Sequence, residues 1–124
     1  MAKILSIAST HTLRTTRELI LQNAGHEVVS FPCMPASEQL KNAGNPDLAV
    51  IGHGFTGPDK RKLALGLNQA FPGIPILELC MHSPEIPGAD FILSHSPESL
   101  LAAIDELLAG HRVRGFLTET ERGL

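Results

Sequence analysis

Tryptophan and tyrosine are absent from this 124-residue chain and phenylalanine occurs only five times, so any core it builds must be aliphatic. Cysteine is scarce too. Cys33 and Cys80 are the two thiols, without Cys-x-x-Cys spacing, which argues against a disulfide framework and a zinc ribbon. Strong charge of one sign is missing as well. The formal net charge is −3, the pI is near 6.0 and no extended run of Lys or Arg occurs, so the electrostatic footprint of a nucleic-acid binder is lacking. No apolar stretch approaches the roughly 18 residues that suggest a membrane span. The opening Met1-Ala2-Lys3 leads into a short strand pattern rather than a signal-peptide core. These absences predict one cytoplasmic domain with a single core, and no nucleic-acid or membrane partner.

What is present is an alternation of short apolar runs and amphipathic segments. Residues Lys3 to Ala8 form an Ile- and Leu-rich run bounded by Ser9-Thr10-His11-Thr12, the pattern of a buried parallel strand feeding a helix. Leu13, Ile20 and Ala24 lie at near-helical spacing with Leu19 beside them, and Gly25 is placed to end that helix. A second strand is expected over His26 to Phe31, a short helix over Ala36 to Ala43 closed by Gly44, and a third strand over Leu48 to Ile51. The glycine-rich loop Gly52-His53-Gly54-Phe55-Thr56-Gly57-Pro58 then precedes a helix whose apolar face is Leu63, Leu67, Ala70 and Phe71. Ile74 to Leu79 and Phe91 to Leu93 supply the fourth and fifth strands. Ser96-Pro97 offers a capping hydroxyl and a first-turn proline to a helix with the stripe Leu100, Leu101, Ile104, Leu107 and Leu108, ended by Gly110.

Strands alternating with helices through short loops predict a parallel sheet covered on both faces, an α/β three-layer sandwich with five strands in the order 2-1-3-4-5. Residues 1–110 make up this domain. Residues 111–124 form a C-terminal tail without a clear pattern, whose place against its own domain or a neighbour stays open.

With Lys3-Ile4-Leu5, Asn23-Ala24-Gly25-His26-Glu27-Val28-Val29, Pro46-Asp47-Leu48, Pro72-Gly73-Ile74-Pro75-Ile76-Leu77, Gly88-Ala89-Asp90 and Pro97-Glu98-Ser99-Leu100 in this order and spacing, the chain resembles the receiver domain of response regulators in two-component signalling. The resemblance covers roughly Lys3 to Leu108 and implies a flavodoxin-like fold. It also implies a phosphorylation pocket whose positions here are degenerate. The acidic pair that holds magnesium in such domains matches Ala8 and Ser9, the acceptor aspartate matches Gly52, the hydroxyl residue matches Cys80, and the lysine falls at Ser94 or, with a gap, His95. No other acid substitutes for the nucleophile: Asp47 lies about 16 Å away at the far end of the same strand, at ~3.3 Å per residue. Asp90 likewise begins its strand, and Asp59, Glu85 and Glu98 occupy loops or helix starts. Phosphoryl transfer depends on positioning and charge neutralisation, so the resemblance implies a pseudo-receiver without enzymatic activity or cofactor. Its partners would be proteins of a signalling pathway, a second copy of itself among them. Only seven residues, Pro84 and Pro87 included, separate Cys80 from Gly88, so the fourth helix of a standard receiver is expected to be reduced or missing.

An alternative function rests on histidine. His11, His53, His82 and His95 each follow a different expected strand, and in an open α/β sheet those loops converge on the carboxyl edge where ligands bind. Imidazole there, with the Cys80 thiol, would suit zinc, copper or nickel in a small-ligand or metal sensor. The spacing carries no local signature, and polar residues collect in loops in any case, so no metal is assigned. A Cys80–His nucleophilic pair would need a lowered thiol pKa, and a cysteine closing a buried strand is more often a small core residue. Ser9-Thr10-His11-Thr12 could hold an anion at a helix start, but capping by Thr10 or Thr12 is the commoner role. Lys60-Arg61-Lys62 reads as a solvated basic cluster in a first helical turn, opposed to the helix dipole.

Overall fold

The structure, a computed structural model, describes residues 2–33, 35–52, 54–93 and 96–115. The apolar runs form β1 (Lys3–Ile7), β2 (Glu27–Phe31), β3 (Leu48–Ile51), β4 (Ile76–Leu79) and β5 (Asp90–Ile92). These alternate with α1 (His11–Asn23), α2 (Ser37–Asn42), α3 (Gly57–Ala70) and α4 (Pro97–Leu108). All neighbouring strands pair in parallel in the order β2-β1-β3-β4-β5, as the alternation predicts, and a sixth, β6 (Arg114–Gly115), adds beyond β5.

Helices on both faces leave β3 and β4 wholly buried, which is why β3 reads as an unbroken apolar run and β4 as one interrupted only by Glu78. Ile4, Leu48, Val50, Leu77 and Leu79 pack with Leu21 of α1 and with Leu100, Ile104 and Leu107 of α4. On the other face Leu5, Ile7, Ala49, Ile51 and Ile76 meet Leu40 of α2 and Leu63, Ala64 and Leu67 of α3. Each fully buried aliphatic side chain contributes about 1.5–3 kcal/mol against exposure, so with few aromatics the stability is spread over many residues of both layers. Gly25, Gly44 and Gly110 follow their helices at φ values of +95, +80 and +89°, the left-handed turn that a side chain disfavours. Ser96 caps α4 by accepting from the Ser99 amide at 3.1 Å.

Five expectations need correction. The sheet has six strands rather than five, because the first residues of the tail join it. Asp90 Oδ1 accepts from the Val113 amide and from Arg112 Nε, both at 2.8 Å. Val113, 2% exposed, then enters the core beside α4. Two residues are too few to show a strand period, so this edge depends on side-chain anchoring. In α1 the expected face is half-buried at Leu13 and Ile20 and exposed at Ala24; the buried residues of that same face are Arg17 and Leu21, and Leu19 is 53% exposed. In α3 Ala70 is exposed and the buried stripe begins one turn earlier, at Lys60. Leu108, at the end of the α4 stripe, is 38% exposed. Thr10 stands at the N-cap of α1 but makes no side-chain capping bond.

Between β4 and β5, residues 80–89 form bends and turns with no helix, as the two prolines predict. A buried carboxylate organises the segment instead. Glu78, fully buried in β4, accepts from the amides of Glu85 and Ile86 at 3.0 Å. Ile86 is thereby seated in the core against the α2/α3 layer.

Candidate functional site at the carboxyl edge

Parallel strands send all their carboxyl ends to one rim, where the loops after β1, β3 and β4 meet. Ala8, 2% exposed, leaves β1 there and Gly52 leaves β3, its amide donating to the Ile7 carbonyl at 2.9 Å. Ser9 is exposed, and its hydroxyl donates to the Gly54 carbonyl at 3.4 Å across the two loops. These residues come together at one corner of the rim. They present no carboxylate.

A cation occupies the corner instead. Arg17 projects from the second turn of α1, is 8% exposed, and has an Nη1 that finds no hydrogen-bond partner. A Cβ placed on Gly52 would lie 3.0 Å from that Nη1 and 3.6 Å from the Ala8 Cβ. Burial lowers the Arg17 pKa from its ordinary value because the guanidinium gives up solvent. A second guanidinium stands close by: Arg14 Nη1 donates to the carbonyls of Ala8 at 3.0 Å and Ser9 at 3.3 Å, and Nη2 lies 3.5 Å from His11 Nδ1. Magnesium does not fit such a corner. It needs carboxylate oxygens, and its charge would be opposed by a buried guanidinium.

Cys80 is fully buried at the end of β4. Burial first, then the charge of Glu78 and a weak hydrogen bond to that residue, pushes the thiol up to about 12. The nucleophilic reading required the opposite shift, so Cys80 is a protonated core thiol. His11 and His82 are exposed, whereas His53, Ser94 and His95 lie outside the described residues. Among the described residues no cluster of three His, Cys, Asp or Glu side chains is arranged to hold a metal ion. Asp47 and Asp90 are at the opposite edge, where Asp47 Oδ2 accepts from the Lys3 amide at 2.9 Å. Glu85 pairs with Arg61 at 3.6 Å.

The sequence reading missed the ion pair that underlies this rim. Lys60 is 4% exposed, not solvated, and its Nζ donates to Glu78 Oε2 at 2.9 Å and to the Leu79 carbonyl at 3.0 Å. Arg61 and Lys62 remain exposed. The signal was available, because Lys60 lies three and seven residues before Leu63 and Leu67, on their stripe. An acid within Ile76-Leu77-Glu78-Leu79 also demands a partner.

This architecture is that of response regulator receiver domains. No family model matches the sequence and no curated protein does, but solved structures of that fold do. The chemotaxis response regulator CheY4 of Vibrio cholerae is 21% identical, with 86% of this chain and 98% of that one covered and a TM-score of 0.71. A two-component response regulator of the LuxR family from Aurantimonas sp. SI85-9A1 is 24% identical, with 93% and 90% covered and a TM-score of 0.70. A CheY-like receiver domain protein from Methanospirillum hungatei JF-1 reaches a TM-score of 0.73 at 17% identity, with 89% and 95% covered.

Proposed function

We propose that the chain is a phosphorylation-independent receiver-like domain, acting in cytoplasmic signal transduction through contacts with proteins, a second copy of itself included. One observation carries the reading. At the position matched to the acceptor aspartate there is Gly52, and the space beside it is faced by the buried guanidinium of Arg17. A receiver that takes up a phosphoryl group needs a nucleophilic carboxylate and a bound divalent cation there. Ala8, Ser9 and Gly52 supply neither. The output surface is altered in parallel, since residues 80–89 run as turns where a standard receiver has a helix.

The test is incubation with acetyl phosphate and magnesium followed by intact mass. An unchanged mass is expected, and addition of one phosphoryl group would overturn the proposal. Light scattering over a range of concentrations then measures self-association.

A further inference from the structure

We infer that the corner between α1 and the carboxyl ends of β1 and β3 is a reversible binding site for a small oxyanion, a phosphate or a carboxylate, held by the Arg17 guanidinium. The inference rests on the reading that this corner has lost covalent phosphorylation, and adds a ligand to it.

Arg17 is more than nine-tenths buried, and its Nη1 has no hydrogen-bond partner. An unpaired buried charge is strongly destabilising unless something compensates it, and among the described residues no ion pair or hydrogen bond involves this side chain. A second polar atom on the same face of the sheet is in the same condition. Ser6 follows Ile4 by two residues, so its side chain shares the face that Ile4 and Val50 present to α1 and α4. Its buried Oγ likewise has no partner. Both groups can donate to an oxyanion.

The surroundings suit an anion. Gly52 brings no side chain, and the nearest atoms to a Cβ built there are Arg17 Nη1, the Ile7 carbonyl and the Ala8 Cβ. Ser9 and Gly54, on the loops at the mouth of the corner, are exposed. Arg14 adds positive charge at the same loop through its bonds to the Ala8 and Ser9 carbonyls, and α1 begins two residues after Ser9, contributing the favourable end of its dipole. Planar guanidinium groups bind phosphate and carboxylate through paired donors.

Inorganic phosphate and acetate are the probes, titrated separately into the ¹⁵N-labelled protein against chloride at constant ionic strength. Amide shifts at Ala8 and Gly52 and the Arg17 side-chain Nε–Hε signal are followed. Saturation by about 10 mM is expected, as for a site of millimolar affinity, with at least a tenfold loss of affinity in Arg17→Gln. Tighter binding of phosphate assigns the site to phosphoryl ligands, and equal or tighter binding of acetate assigns it to carboxylates. A linear response to both ions, a response equalled by chloride, or unchanged binding in Arg17→Gln would overturn the inference. If Arg17→Gln does not fold, the Arg17 Nε–Hε signal of the unaltered protein decides alone: no saturable movement refutes the site. Reversible shifts at constant mass are distinguishable from a covalent phosphoryl adduct, which would instead defeat the function proposed above.

Discussion

Replacing Lys60 by Met should be among the most damaging single changes this fold can suffer, although the residue sits in what reads as a surface cluster. The Lys60 Nζ is 2.9 Å from Glu78 Oε2, with side-chain exposures of 4% and 0%. Removing one partner of a buried pair strands the other charge and costs about 3–5 kcal/mol. A domain of this size has roughly 5–15 kcal/mol in total, so up to most of its stability is at stake. At ~1.4 kcal/mol per decade the folding constant falls by roughly two to four orders of magnitude. Urea unfolding reads this directly: with a slope of about 1–3 kcal/mol per molar, the midpoint drops by roughly 1–5 M. Glu78→Gln alone should cost a similar amount by stranding the ammonium. The double variant Lys60→Met, Glu78→Gln removes both charges yet keeps an oxygen for the Glu85 and Ile86 amides. It should recover about 2 kcal/mol or more relative to the sum of the single losses, as coupled neighbours do. A Lys60→Met loss below about 1 kcal/mol, the range of an exposed pair, or strict additivity in the cycle, would refute the argument.

Thiol chemistry should separate the two cysteines. Cys33 is exposed and Cys80 buried, so a thiol reagent at mildly alkaline pH should add once to the native protein and twice in denaturant; two native adducts would contradict the burial. The folded pKa of Cys80 is raised from 9.0 to about 12, so the folded state keeps a proton that the unfolded chain loses. Its contribution to stability is therefore full below pH 9 and declines between pH 9 and 12; comparison with Cys80→Ala over that window should isolate the slope, and identical slopes would exclude it. Asp90→Ala should release β6, orphaning the Val113 amide at a cost of about 1–3 kcal/mol. Hydrogen exchange at Phe91 and Leu93, whose amides donate to the Val113 and Gly115 carbonyls, should accelerate while Val50 stays protected; unchanged exchange would show that β6 is held by something else.

The parts of the fold legible in sequence are those with a repeating pattern. β1, β3 and β4 are apolar runs because helices cover both faces, and α4 carries a continuous stripe with Ser96 and Pro97 at its start. That the sheet is parallel with helices on both faces followed from alternation. What escaped were residues placed by single long-range bonds. β6 exists through Asp90 and Val113, twenty-three residues apart in sequence. The deepest part of the α1 face was missed because an arginine occupies it: Arg17 is four residues before Leu21, on the same stripe as Leu13 and Ile20, yet a charged residue is normally assigned to solvent. Lys60 was misread for the same reason.

Arg17 and Lys60 belong to one physical problem, which is how a buried cation is kept in a small aliphatic core. Lys60 meets a carboxylate and a carbonyl, so its charge is compensated from within. Arg17 meets neither, and it lies against Gly52, where even a Cβ would come within 3.0 Å of its Nη1. Among the described residues no carboxylate compensates Arg17 as Glu78 compensates Lys60. That absence leaves the balance to be completed from outside the chain. On the function proposed above, the glycine that stands where receivers carry a phosphorylatable side chain lies beside a positive group suited to an anion. A corner that needs bound magnesium and a transferred phosphoryl group in working receivers is, in this chain, suited to respond to an oxyanion already present in solution.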